Sequence, residues 1–298
     1  MISLLSAPSN LGLRPPEPSA VPGTGKAPEA LREAGLHARL IAAGAEDAGV
    51  VIAGRYRDVV EPGHVRNEEA LLDHARRLAG RIRLALDAGR APLVLGGDCS
   101  LVIGVGAALA GTDAGLVYID GHTDFRHPGH DGPAHAVGGE ALAAAIGLHF
   151  PAIADLGGRG PSFAASRAVQ VGARDDDADL DLVRSSIADV VTASQVARDA
   201  HAAAQRAIAP ARSGFWLHVD VDVLDPAVMP AVDSPDPGGL TVAQLVPLLR
   251  ELAPQAIGAD VCIFDPDLDP DGRYARLLAD VVVDGLGALG SAVTRPVR

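Results

Sequence analysis

Short runs rich in Val, Ile and Leu alternate along this chain with longer stretches rich in Ala, Leu and Arg that carry a helical period. A strand buried on both faces reads as a continuous apolar run, and a parallel neighbour can be reached only through a crossover of a dozen or more residues. The alternation therefore predicts an α/β chain in three layers, with a mostly parallel central sheet of about eight strands flanked by helices. The strand runs are ISLLSA, GVVIAG, PLVLGG, GLVYID, AVQVGA, FWLHVDVD and AIGADVCIF, with a weaker one at IADVVTA. Helical spacing marks NEEALLDHARRLAGRIRLALDAG, TASQVARDAHAAAQRAIA, TVAQLVPLLRELA and GRYARLLADVVVDGLGAL. In the first of these Leu71, Leu72, Ala75, Leu78, Ala79 and Ile82 recur at three and four, which gives one buried face. Two Pro- and Gly-rich stretches read as loops: RPPEPSAVPGTGKAPEA near the start and RHPGHDGPAHAVGG in the middle.

No composition break, linker or fixed-period repeat divides the 298 residues, so one domain over residues 1–298 is expected. A hydrophobic share of 48% supplies a core and excludes disorder. The formal charge of −13 argues against nucleic acid or an anionic membrane as partner, since both need a basic patch, and favours a cationic small molecule. Two cysteines, Cys99 and Cys262, are too few for a disulfide framework, and no apolar run is long enough to span a bilayer. The N-terminal MISLLSA lacks a basic region before its apolar run and reads as a first strand rather than a signal peptide, which places the protein in the cytoplasm.

Chemistry concentrates where apolar strands run out. VYIDGHTDF carries Asp120, His122 and Asp124 at every second position, and WLHVDVDVLDP carries Asp220 and Asp222 two apart. Alternate side chains of an extended backbone share a direction, so each set is expected to converge. Carboxylates half buried behind FWLHV are costly without a cation, and carboxylate with imidazole is a donor set for a hard or borderline divalent ion. LVLGGDCSL ends with Cys99, and GADVCIFDP offers Asp260 and Ile263 at a fourth strand end.

GGDCS, DGHTD and HVDVDVLDP occur in that order, with PGTGKAPEALREAG before them and SPDPGGLT and DPDLDPDGRYARLLADVV after the last. In this series the sequence resembles the arginase, agmatinase and formimidoylglutamase family, the ureohydrolases, over nearly the whole chain. The resemblance implies an arginase-like fold and two manganese ions per chain. One ion is held by Cys99, Asp120, Asp124 and Asp220, the other by Asp120, His122, Asp220 and Asp222, so that Asp120 and Asp220 bridge. It implies a hydroxide bridging the two ions that attacks the planar carbon of an amidine or guanidine, with Asp124 steadying the tetrahedral intermediate and an amine leaving. His135 is the nearest candidate proton shuttle, ahead of His127 and His130; its other reading is a solvated loop histidine. Asp175 and Asp177 match family aspartates, with Asp177 reaching a substrate α-amino group, while the next acidic partner falls on Leu180. The other reading of DDDADLD is a solvated helix start. The resemblance also implies a homo-oligomer.

Two departures stand out. Cys99 occupies a position where histidine is usual, bringing the ligand charge to −5 rather than −4. The extra charge weakens Lewis acidity and shifts activity to higher pH, and a softer thiolate makes zinc, cobalt or iron competitive with manganese. Ile263 stands where the family motif has the glutamate that grips a guanidinium, so plain L-arginine is a poor candidate substrate. A modified guanidino or formimino group such as N-hydroxyarginine suits the site better. Readings of other classes are an arginase-fold binding or scaffold protein without activity, and a single-zinc, deacetylase-like hydrolase. The four costly acids Asp120, Asp124, Asp220 and Asp222, with His122, argue against the first, and the paired Asp220 and Asp222 against the second.

Overall fold

The computed structural model describes residues 1–130, 135–212 and 214–293. Among these residues eight strands form one all-parallel sheet: β1 (Ile2–Ala7), β2 (Glu46–Val50), β3 (Ala91–Gly96), β4 (Leu116–Ile119), β5 (Ala168–Val171), β6 (Asp189–Val191), β7 (Phe215–Asp220) and β8 (Ala256–Cys262). Their spatial order is β2-β1-β3-β8-β7-β4-β5-β6. Every residue of β3, β4 and β7 is buried, as expected for strands covered on both faces. Because the sheet is parallel, the carboxyl ends of β3, β8, β7 and β4 lie side by side on one edge, where open α/β sheets place their ligands. The register keeps those ends level: Leu95 pairs with Val261, Val219 with Val261, and Ile119 with Val219.

Several local expectations shift. The run GVVIAG is not itself the strand: β2 covers Glu46–Val50, and residues beyond it lie along the sheet border. That strand is at an edge and largely exposed, Val50 to 46%; beyond it Val51 is buried while Ile52 is 65% exposed. The helix expected over TASQVARDAHAAAQRAIA is two helices, Ala193–Arg198 and Ala200–Ala211. Asp199 breaks it by adopting φ −159° and capping the second piece, its carboxylate accepting from the Ala202 N–H at 2.9 Å. The loop expected near the start closes with the helix Ala27–Glu33, which begins before that segment ends. In the middle loop, residues 131–134 lie outside the described residues.

One helix, Leu101–Leu109, has no counterpart in the periodicity. All nine of its residues are buried, so it has no polar face to produce a period. It packs against the helix Glu68–Asp87, whose buried face is the one the spacing marks. A Cβ at Gly104 would lie 2.9 Å from the Ala75 carbonyl and 3.0 Å from Leu78 Cδ2, so glycine sets how closely the two helices approach. No helix among the described residues is long and apolar enough to cross a membrane.

Leu78 is fully buried at this contact. Replacing it with Ala is expected to lower the unfolding free energy by about 2 to 5 kcal/mol, from lost transfer energy plus the cavity left behind. Urea denaturation followed by circular dichroism measures it, and a midpoint equal to that of the parent chain contradicts the packing described.

Candidate metal centre

β4 stops at Ile119, so the sequence DGHTD lies beyond the strand and not on it. The Asp120 N–H still bonds to Val171 O at 3.0 Å, after which the chain turns. Asp120 Oδ1 accepts from the His122 N–H at 2.6 Å, and Asp124 adopts a left-handed φ of 47°. A Cβ at Gly121 would lie 2.7 Å from the Asp222 carbonyl as well as on the Arg174 guanidinium, so this close approach of two backbone turns favours glycine. The end of β7 behaves alike: Asp220 Oδ1 accepts from the Asp222 N–H at 2.7 Å as the strand passes into the short 3-10 turn Val221–Val223. Side-chain direction in both segments is set by these turns rather than by strand alternation.

The turns sort the ligand candidates into groups. Donor atoms of Cys99, Asp120 and Asp124 lie within 4.8 Å of one another, as do those of Asp120, His122 and Asp222. Asp120 belongs to both. Asp220 adjoins them, its Oδ2 accepting from Cys99 Sγ at 2.8 Å. His122 Nδ1 is 2.8 Å from Asp222 Oδ2, and its Nε2 is 3.1 Å from Asp236 Oδ2. Asp222 Oδ1 accepts from the Gly121 N–H at 3.1 Å, and Asp124 Oδ2 from the Tyr118 hydroxyl at 2.6 Å.

Electrostatically the cluster is short of positive charge. Burial pushes the Asp120 carboxyl well above the usual range, and the charges of Asp124, Asp222 and Asp220 push it further. Asp220 is raised well above its ordinary value by burial and then by Asp222 and Cys262. Asp124 is raised to about 6, first by burial, with the Tyr118 and His122 contacts opposing. Only Asp222 ends below its ordinary value, because the His122 hydrogen bond and charge outweigh its burial. His122 is pushed up to about 9: burial pulls it down, but Asp222 and then Asp236 prevail. The nearby Arg174 guanidinium spends its Nη2 on the carbonyls of Asp222, Leu224 and Asp236 instead of a carboxylate. Asp120 Oδ2 is buried with no hydrogen-bond partner. A buried carboxylate oxygen without a donor, among further buried carboxylates, fits divalent cations.

A cleft of about 750 Å³ opens over these groups, and Cys99, His122, Asp124, Asp220 and Asp222 line it. Asp177 and Ile263 line it too. Asp177 is held by the Thr123 N–H and hydroxyl at 3.1 and 3.0 Å, and Ile263 by its N–H to Gly97 O at 2.7 Å. Ile263 has φ 71°, which for a β-branched residue is strained and fixes its side chain at the cleft. Asp175 is not among the lining residues; Thr192 and Ser194 hydroxyls hold its carboxylate at 2.6 and 2.7 Å, a local structural duty. Nor does His135 line the cleft: its N–H donates to Glu140 Oε1 at 2.6 Å, and its Nδ1 is buried without a partner. Residues absent from the sequence-level site are Tyr118, Arg174, Asp233 and Asp236. Tyr118 had a legible signal, standing two before Asp120 in the same run; Arg174 adjoins the candidate Asp175, and Asp233 and Asp236 lie just before and within the SPDPGGLT segment, but only the fold shows that they reach the site.

An all-parallel eight-stranded sheet with an acidic, metal-type cluster at its central carboxyl ends defines a metallohydrolase-like α/β protein. A family model described as Arginase family matches residues 2–287. The arginase of Bacillus caldovelox is 30% identical over 289 residues, covering 93% of this chain and 94% of that protein. Its solved structure superposes with a TM-score of 0.84 at 29% identity, covering 97% of each chain. The N(omega)-hydroxy-L-arginine amidinohydrolase of Streptomyces lavendulae is 30% identical over 188 residues, covering 62% of this chain and 63% of that protein. The chain belongs to the arginase family, hydrolases of non-peptide carbon–nitrogen bonds in linear amidines.

The pKa directions fix how the ion-free protein responds to pH. His122, raised from 6.5 to about 9, contributes stability that is fully present below 6.5 and lost as pH rises through about 9. Asp124, an acid raised from 3.8 to about 6, favours the folded state at low pH and loses that contribution as pH rises through about 6. The chelator-treated protein is therefore expected to melt at progressively lower temperature from about pH 5 to about pH 9, and added divalent ions to restore more at the alkaline end. Calorimetry at three pH values checks it; a melting temperature that rises with pH in chelator runs counter to the assignment.

Proposed function

We propose that residues 1–298 act as one ureohydrolase domain that hydrolyses a modified guanidino or formimino compound with the help of two divalent ions. The observation that carries this reading is Asp120, whose carboxylate belongs to two ligand groups at once and keeps one oxygen buried and unpartnered. Cys99, Asp120, Asp124 and Asp220 would hold one ion, and Asp120, His122, Asp220 and Asp222 the other. Manganese is the first choice for carboxylates and imidazole, with zinc, cobalt or iron brought into competition by Cys99. When bound, the ions supply Lewis acidity and a nucleophile from water at neutral pH.

The chain's own residues do the rest. Asp120 and Asp220 each tie one oxygen to the next backbone turn, so their remaining oxygens are aimed and rigid. Asp124, fixed from behind by the Tyr118 hydroxyl and open to the cleft, is placed to hold a proton in transit to the departing amine. Asp177, anchored on Thr123, presents its carboxylate at the cleft wall for a substrate ammonium group. His135 sits beside the cleft, next to the lining residue Ala136, but does not line it and is assigned no step. Ile263 offers an apolar wall where a full guanidinium needs a carboxylate, which favours a less basic group, and the relative from Streptomyces lavendulae is named for such a substrate. The resemblance supports a homo-oligomer, and two unpaired buried thiols suit the reducing cytoplasm.

The test is an assay of manganese-reconstituted protein on arginine, N-hydroxyarginine, agmatine, guanidino acids and formiminoglutamate, following urea, hydroxyurea, formamide and ammonia. Turnover of an N-hydroxyguanidine or formimino compound above arginine is expected. Folded, fully loaded protein that turns over none of them fits a scaffold and ends this reading.

Two substitutions sharpen it. Ile263→Glu is expected to raise kcat/KM for arginine relative to N-hydroxyarginine by roughly ten- to hundredfold, the equivalent of one charge-assisted hydrogen bond of about 1.5 to 3 kcal/mol; an unchanged ratio removes Ile263 from substrate selection. Cys99→His is expected to keep two manganese ions per chain and Cys99→Ala to lose affinity for one, measured by elemental analysis after gel filtration. Equal metal content and affinity in both variants and the parent takes Cys99 out of the ligand set.

A further inference from the structure

Directly beneath the two ligand groups lie a thiol and an imidazole that neither of them uses. Cys262 ends β8 and His218 stands two residues before Asp220 on β7; the strands pair Asp220 with Cys262 and His218 with Asp260. Cys262 Sγ is 3.5 Å from Cys99 Sγ, 3.6 Å from His218 Nε2 and 3.8 Å from Asp220 Oδ2. Donor atoms of Cys99, His218, Asp220 and Cys262 all lie within 4.8 Å of one another, and all four residues are buried. A tetrahedral ion bonded to sulfur at about 2.3 Å and to nitrogen or oxygen at about 2.0 to 2.2 Å separates its ligand atoms by roughly 3.3 to 3.8 Å. The distances around Cys262 fall within that span.

His218 is held in a single useful orientation. Its Nδ1 lies 2.7 Å from Asp260 Oδ2, and Asp260 Oδ1 accepts from the Trp216 indole N–H at 2.6 Å. The Tyr118 ring stacks on the imidazole with centroids 4.0 Å apart and planes 13° from parallel. Once an ion displaces the Nε2 proton, Nδ1–H stays donated to the carboxylate and the Nε2 lone pair faces the Cys262 side of the group. Carboxylate, imidazole and metal in series is the arrangement that orients histidine ligands and raises their basicity. Both Asp260 and Trp216 are fully buried, so the orientation is built into the core rather than adopted on demand.

We propose that Cys99, His218, Asp220 and Cys262 form a further metal site, for a thiophilic divalent ion of the zinc class, which shares Cys99 and Asp220 with the ion pair above it. Two thiolates, one imidazole and one carboxylate are a zinc donor set and a poor one for manganese or magnesium. Cys99 and Asp220 line the cleft while Cys262 and His218 stand behind them, so an ion enters through the same opening. Loading releases the two thiol protons and the proton on His218 Nε2, since a coordinated thiol is deprotonated outright and a ligating imidazole is neutral. The site depends on its own four donors and not on the amidine reaction.

X-ray absorption at the zinc edge of the full chain, loaded with a single molar equivalent of zinc that the two-thiolate site takes first, tests it. Two sulfur ligands per zinc at about 2.3 Å are expected, falling to one in Cys262→Ser together with a loss of at least tenfold in zinc affinity. Cobalt substitution gives a parallel readout, a thiolate-to-metal charge-transfer band that weakens in Cys262→Ser. Asp222→Asn, which cripples the ion pair above, is expected to leave the two-sulfur signature in place; this separates failure of the new site from failure of the proposed hydrolase. One sulfur or none in the parent chain, or a signature unaltered by Cys262→Ser, overturns the proposal, and the parent measurement decides the matter even if the variant does not fold.

Discussion

The structure is organised around buried negative charge that the protein itself does not neutralise. Asp120, Asp220 and Asp222 are buried at the centre of the sheet's carboxyl edge, with the less enclosed Asp124 beside them. Water is largely excluded there, so each carboxylate raises the cost of ionising its neighbours. A positive side chain could have relieved the tension, yet Arg174 is turned to backbone carbonyls and His122 is committed to Asp222 and Asp236. Such a cluster fits cations taken from solution, and the unpartnered oxygen of Asp120 lies at its centre.

The rest of the fold serves to hold those acids still. A parallel sheet brings strand ends from distant parts of the chain to one edge, and the order β3-β8-β7-β4 places the segments after residues 96, 262, 220 and 119 next to one another. The surrounding strands and the helix Leu101–Leu109 are buried, so the backbone at the site has little room to relax. Rigid support is what a metal site of short, directional ligands demands. It also explains why strained residues can persist: Asp124 and Ile263 both have positive φ, a cost tolerated where packing and hydrogen bonds over-determine the backbone.

How much of this could be seen in the sequence depended on whether a property was local. The α/β class, the strands with two covered faces and the amphipathic helices were legible because each produces its own period. Edge strand β2 was misplaced because apolar residues there reflect no burial, and the Leu101–Leu109 helix was silent because complete burial erases the period. The structure brings Asp120, His122, Asp124, Asp220 and Asp222 together at the sheet's carboxyl edge, but not by the geometry their spacing suggested. Their spacing of two suggested strand alternation, whereas the structure aims them by side-chain-to-backbone turns just beyond the strands. Asp175 looked like a second recognition acid until its carboxylate was seen tied to Thr192 and Ser194. His135 looked near in sequence, yet its segment presents other residues to the cleft.

By itself, the sequence determined the class of fold, the acidic strand ends and the two substitutions, Cys99 and Ile263, that set this chain apart within its family pattern. These follow from residue type and short-range spacing, which the chain carries however it is folded. Tertiary structure alone decided that Cys262 and His218 meet Cys99, that Tyr118 holds Asp124, and that Asp120 serves two ligand groups. Such contacts join residues as far as 163 positions apart, and their geometry depends on strand order and register, which no local pattern encodes.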